Sequence, residues 1–301
     1  MKSKAWIAAA LLVCLGSASG CSRAPKDDAY VREVQEWHQR RIERLKQPDG
    51  WLSLVGLFWM KPGENRFGSD PSNDLVFPAK APAFIGSYFV QDSIITVRVR
   101  EGVPVRSGDS LVREMQVQTD RDGSPTILRL GTLSWYVIER GGKYAVRLKD
   151  SESPARLGFT GIDRFPIDAR WRVKARFEAY PEPNKIFVAT VVGTTETMTS
   201  PGKLVFQIAG KTYSLEAFRE EGEDQLFLVF GDRTNGKETY GAGRFLYVDL
   251  PKEDGTTWID FNKAYNPPCA FTPYATCPLP PDQNLLPLRV TAGEKRYGKG
   301  H

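Results

Sequence analysis

The chain has 301 residues, 41% hydrophobic and 26% charged, with a formal net charge of +5. That length suits one large or two ordinary domains. The charge is mild, and no Lys/Arg cluster alternates with aromatics as a nucleic-acid surface requires. With two histidines and four cysteines, little remains for histidine-dependent catalysis or a His/Cys metal centre. No cofactor, metal or nucleic-acid partner is expected.

Lys2 and Lys4 precede an unbroken apolar run from Ala5 to Leu15. The run falls short of the roughly 20 residues a membrane-spanning helix needs and has the form of a secretory h-region. Small residues lead from it into Cys21. Ala18-Ser19-Gly20-Cys21 resembles the lipobox of bacterial lipoproteins, which implies loss of residues 1–20 and a lipid on Cys21. The competing reading is an ordinary signal peptide that leaves Cys21 as a free thiol. Ser22, not being aspartate, resembles the outer-membrane sorting signal. The expected location is therefore the periplasmic face of the outer membrane, held to the bilayer through acylated Cys21. Cleavage removes Lys2 and Lys4 and leaves a charge of +3.

Residues 21–28 read as a short tether. Asp27 or Asp28 then caps a helix expected to run to about Gln47, with Val31, Val34, His38, Ile42 and Leu45 on one stripe. Arg32, Glu36, Gln39, Arg40 and Glu43 occupy the opposite face, and Pro48 and Gly50 end the helix. His38 reads as a packed or capping residue. Beyond Trp51 the pattern is of strands. Ser134–Arg140, Gly141-Gly142 and Lys143–Leu148 form a hairpin signature whose turn demands positive φ. Lys203–Ile208, Ala209-Gly210 and Thr212–Ala217 repeat it. Further strands are expected over Ser93–Arg100, Leu111–Thr119, Trp171–Tyr180, Lys185–Val192, Gln225–Phe230 and Arg244–Leu250. The lapse into Ser, Pro and Gly near Asp150–Gly161 marks a boundary. It gives an N-terminal helix and β-sandwich over 29–155, and a C-terminal β domain over 156–301.

Three blocks are distinctive. They are Gly50–Trp59 with Gly63–Ser69, Tyr240-Gly241-Ala242-Gly243-Arg244-Phe245-Leu246, and Asp260–Phe271 ending at Cys277-Pro278-Leu279-Pro280-Pro281. Together they resemble the bacterial "domain of unknown function 1684" family across essentially the whole mature chain, which implies no assigned chemistry. Phe67–Phe77 also resembles the opening strands of forkhead-associated domains, β-sandwiches that bind phosphothreonine. Ser69 stands where those domains carry an arginine, and no histidine follows in Lys80–Ser87. The resemblance thus implies the fold and not the ligand.

The fold class expected is mainly β: an N-terminal helix, a forkhead-associated-like β-sandwich and a second β sandwich or barrel. Cys269 and Cys277 form an even pair in an oxidising compartment, read as a disulfide worth about 2–3 kcal/mol, with zinc as the alternative. Glu238, Tyr240, Arg244, Asp260, Asn262, Tyr265 and Asn266 are the candidate pocket. Glu238 and Asp260 could act as acid and base, and Arg244 could orient an anion. The same residues could instead satisfy backbone groups in turns. Three functions follow: an envelope lipoprotein with a ligand-binding or accessory module, an envelope hydrolase using Glu238 and Asp260, or a structural or assembly partner of another envelope protein.

Overall fold

Val34 and Leu45 are buried and His38 and Ile42 half-buried on the helix Pro25–Leu45, so the three-and-four spacing is its packing face. The computed structural model describes residues 25–220 and 222–298. Cys21 and the signal before it lie outside them. The chain is mainly β, with this one long helix followed by several sheets and a half-barrel. Among the described residues, no helix is long and apolar enough to cross a membrane.

Residues 54–150 build two sheets. One runs, in spatial order, through Leu54–Trp59, Lys143–Asp150, Leu133–Arg140, Leu128–Leu130, Arg106–Ser107 and Ser110–Leu111. The other runs through Leu75–Val76, Gly63–Gly68, Gly86–Gln91, Ile94–Val99 and Glu114–Gln116. Both feed a single core around Phe67, Phe77, Tyr88, Trp135 and Val146. Buried Trp135 donates its Nε1–H to the Tyr88 hydroxyl at 2.9 Å, so neither polar tip is stranded in that core. The Gly-Gly hairpin forms in the expected register, Arg140 opposite Lys143, with φ of 57° and 71° at Gly141 and Gly142.

The second half departs from the expected strand list: Thr256–Asp260 is an added strand, the strand expected over Lys203–Ile208 begins at Thr195, and two expected strands are merged. Trp171–Tyr180 and Lys185–Val192 are not separate strands; they are parts of one strand, Arg172–Ala189, paired with Thr195–Ile208. The ladder is irregular between Ala179 and Asn184, the stretch that holds Pro181 and Pro183. A proline has no ladder N–H, so the strand bends across the pair rather than ending. This strand lies between Thr195–Ile208 and Thr256–Asp260 in a four-stranded sheet closed by Lys211–Ala217. A two-stranded ladder of Gln225–Phe230 and Arg244–Asp249 stands beside it. These strands share a core of Leu204, Phe206, Leu228, Phe230, Leu246, Ile259 and Phe261.

Smaller clusters join the halves. Leu45 and Leu52 pack with Phe159, Ile162 and Phe271. Leu54 packs with Val229, Phe245 and the two cysteines. Thr272 donates its hydroxyl to the Leu54 carbonyl at 3.1 Å, and Arg147 reaches Thr276 at 3.2 Å.

Candidate functional site

The Arg244–Asp249 strand explains the Tyr-Gly-Ala-Gly-Arg block. Gly243 has φ of +89°, and a Cβ there would stand 2.5 Å from the Pro280 ring and 2.7 Å from the Phe230 carbonyl. Only glycine fits, and it delivers Arg244 inward. The Arg244 side chain is wholly buried. It donates to Asp232 Oδ2 at 2.7 Å, to the Val290 carbonyl at 2.9 Å and to the Ala292 carbonyl. Burial pulls its pKa below the usual arginine value, against the opposing pull of Asp232. Arg244 therefore ties the C-terminal segment to the half-barrel; it is buried among these partners and does not line the cavity described below, so the anion-orienting role expected for it does not apply there.

Glu238 faces elsewhere, paired with Arg289 at 2.5 Å on a partly exposed surface. Tyr240 donates its hydroxyl to the Cys269 carbonyl at 3.0 Å and so braces the Pro-rich loop. Asn262 is also bracing: its amide nitrogen donates to the Tyr30 hydroxyl and the Asp168 carbonyl, and its oxygen accepts from the Asp168 N–H. Glu238 is not among the residues that line the cavity bordered by Asp260, so the two carboxylates of the hydrolase reading are not brought together there.

Asp260, Tyr265 and Asn266 do come together, on the wall of a cavity of about 660 Å³ beneath the N-terminal helix. Period-two alternation builds its floor. Gln225 and Phe227 face the cavity while Leu226, Leu228 and Phe230 enter the core. Opposite them on the ladder stand Asp249 and Tyr247. On the Thr256–Asp260 strand, Trp258 and Asp260 line the cavity while Ile259 is core. The helix supplies the roof from Glu33, Trp37, Arg41 and Arg44, one face at spacings of three and four.

Polar contacts fix that roof. Tyr30 donates to Asp260 Oδ1 at 2.8 Å, and Lys263 pairs with Glu33 at 2.6 Å. Burial, reinforced by Asp260, raises the Tyr30 pKa far above its usual value, so the hydroxyl stays a donor. Arg41 pairs with buried Glu294 at 2.6 Å and lies 4.3 Å from the centroid of Tyr265. Tyr265 in turn stacks on Tyr247, centroids 6.2 Å apart and planes 18° apart. Asp260 Oδ1 also caps the short turn after it through the Asn262 N–H. Its Oδ2 and the Oδ1 of Asn266 are both buried without a hydrogen-bond partner among the described residues.

The expected disulfide is not formed in the structure. Cys269 and Cys277 are two buried free thiols, and the Cys269 N–H donates to Cys277 Sγ at 3.1 Å. A hydrogen bond from Cys277 lowers the Cys269 pKa, while burial raises that of Cys277. Among the described residues, no group of three or more His, Cys, Asp or Glu side chains is arranged to hold a metal ion.

The sequence reading missed Trp37, Arg41, Phe227, Tyr247 and Trp258. The helix wheel offered a signal: positions 33, 37, 41 and 44 form a face distinct from both the apolar stripe and the solvent side. Trp258 two residues before Asp260 was another, since alternate strand residues share a side.

Comparison with known proteins adds a family and no activity. The family described as "Protein of unknown function (DUF1684)" matches residues 157–295, which contain the second and third blocks but not Gly50–Ser69. A solution structure of an uncharacterized protein from Haloarcula marismortui is 32% identical, covering 46% of this chain and 78% of that one, with a TM-score of 0.40. No curated protein matches the chain.

Proposed function

We propose, for a chain whose residues 157–295 belong to the DUF1684 family, that it is a cell-envelope lipoprotein which binds a ligand in the cavity beneath its N-terminal helix. One observation carries the binding half of this reading. Asp260 and Asn266, at 8% and 0% exposure, both border the cavity, and each holds a buried acceptor oxygen with no partner among the described residues. A buried unsatisfied acceptor costs about 1–3 kcal/mol, and each such group calls for an explanation; a role at the neighbouring cavity is the one proposed for these two. The volume lies within the roughly 300–1,000 Å³ of small-molecule sites.

The envelope half rests on the lipobox. If Cys21 is acylated, three residues lie between it and the helix start at Pro25, a span of at most about 14 Å. The cavity roof would then stand close to the bilayer surface. Two measurements test the proposal. Labelled palmitate should enter the parent chain and not the Cys21→Ser chain; equal labelling sinks the anchor. The unlipidated Cys21→Ser chain should melt higher with a ligand from a panel of envelope glycans, peptides and lipids, and Asp260→Asn should remove the shift. A flat response across the whole panel sinks the binding site.

A further inference from the structure

Away from the cavity and independent of it, we infer that Cys269 and Cys277 together hold one soft monovalent metal ion, copper(I), and that buried Arg147 balances the charge of the site. A buried free cysteine ordinarily packs as a small apolar side chain, and the cluster around this pair, with Leu54, Val229, Phe245 and Ala275, is apolar. Two observations set the pair apart.

The first is that the two sulfurs converge. The Cys269 N–H donates to Cys277 Sγ at 3.1 Å, and the Cys277 thiol donates to Cys269. The loop between them is pinned at both ends. The Tyr240 hydroxyl donates to the Cys269 carbonyl at 3.0 Å, and the Val191 N–H donates to the Cys277 carbonyl at 3.0 Å. Two sulfur ligands are thus brought to one spot by backbone that is itself held.

The second is a buried cation beside them with no counter-charge. Arg147 is 4% exposed. Its hydrogen bonds go to neutral groups, the Tyr136 hydroxyl at 3.3 Å and the Thr276 hydroxyl at 3.2 Å. Its Nε has no partner among the described residues. Glu196 is near enough to feel the charge, but it is paired with Arg140 at 3.1 Å. Thr276 directly precedes Cys277, and the field of Arg147 reaches the Cys277 thiol. A buried charge without a partner is strongly unfavourable, so this position calls for an anion.

A metal-loaded cysteine pair is that anion. The ligand is the thiolate, so binding releases both thiol protons to water. One monovalent cation and two thiolates then sum to a single negative charge, which Arg147 cancels. Zinc with two thiolates would be neutral, would leave Arg147 uncompensated and would need two further ligands. Among the described residues, no third His, Cys, Asp or Glu joins the pair in a metal-holding group. Soft thiolates select copper(I), which accepts two of them alone.

The test uses the full mature chain with Cys21→Ser, in which Cys269 and Cys277 are the only cysteines. It is titrated with copper(I) without oxygen, in the presence of the coloured copper(I) chelator bicinchoninate. One equivalent should leave the chelator for the protein. X-ray absorption of the loaded chain should show two sulfur neighbours and no nitrogen or oxygen. Cys269→Ser and Cys277→Ser should each abolish the transfer. Arg147→Met should weaken it by about 10–100-fold, yet melt no lower than the parent without metal, because the unpaired buried charge is gone. A packing role alone would lower the melting temperature and leave the affinity unmoved. The inference is overturned by no transfer from the chelator, by transfer that survives either cysteine variant, by tighter binding of zinc(II), or by an affinity that Arg147→Met leaves unchanged. Should a cysteine variant fail to fold, the neighbours of copper in the parent chain still decide: nitrogen or oxygen there overturns the site.

Discussion

Asp232→Asn should be among the most costly single-atom-scale changes in the chain. The Asp232 and Arg244 side chains are both fully buried and meet at 2.7 Å. Asparagine keeps an oxygen for the Thr234 and Val290 N–H groups that Asp232 Oδ1 accepts at 2.8 and 3.2 Å. It places an NH2 donor where Oδ2 accepted from Arg244, so it removes both the charge and the acceptor opposite the guanidinium. Leaving one buried charge uncompensated costs about 3–5 kcal/mol, and Arg244→Met should cost a similar amount by stranding Asp232. The double variant has no buried charge. Its cost is mainly the lost donors to the Val290 and Ala292 carbonyls, about 1–3 kcal/mol each. The singles, about 6–10 kcal/mol when summed, should therefore exceed the double, about 2–6 kcal/mol, by a coupling of about 4 kcal/mol. Equilibrium urea unfolding of the four chains, followed by circular dichroism, measures it. Additive singles, or an Asp232→Asn chain within about 0.5 kcal/mol of the parent, would refute the bracing role given to this pair.

Three further outcomes follow from the same geometry. Burial outweighs Glu294 at 3.9 Å and holds the His38 pKa below its usual 6.5. The unfolded chain then binds the proton first, so stability should fall as pH drops below about 6.5; His38→Gln should lessen that slope, and an identical slope in both chains contradicts the assignment. Glu238→Ala breaks only a partly exposed pair with Arg289. It should change stability by less than about 1 kcal/mol and leave ligand affinity intact; an affinity loss matching that of Asp260→Asn would restore Glu238 to the site. Cys269 and Cys277 lie close enough for the Cys269 amide to reach Cys277 Sγ. Both are buried free thiols, so Cys269→Ser should change the melting temperature by the same amount with and without reductant. A loss confined to reductant-free buffer would show that the pair is oxidised and contradict the free-thiol state.

Elements with a strong local cause were legible in the sequence. The helix stripe, the Gly-Gly hairpin and the strand Gln225–Phe230 each follow from spacing or turn chemistry alone. The merged strand Arg172–Ala189 was not, because two prolines look like a terminator locally while the partner strand carries the ladder past them. The site was half legible for a related reason. Asp260, Tyr265 and Asn266 were singled out by an unusual block, but Glu238, Tyr240, Arg244 and Asn262 in the same stretch hold other segments in place. Nothing local separates an acid that faces a cavity from one that caps a turn; Asp260 does both with its two oxygens. The helical face of Trp37 and Arg41 needed its partners from more than 200 positions later in the chain before it could be read as a wall.

Hydrogen–deuterium exchange of the mature chain, with and without the member of the envelope panel that raises its melting temperature most, tests the central claim most directly. Added protection should concentrate in residues 33–45, 225–230, 244–249 and 256–266, the roof and floor of the cavity, and should vanish in Trp258→Ala. Protection confined to the sheets of residues 54–150, or none in any of these segments, would contradict a binding site beneath the N-terminal helix.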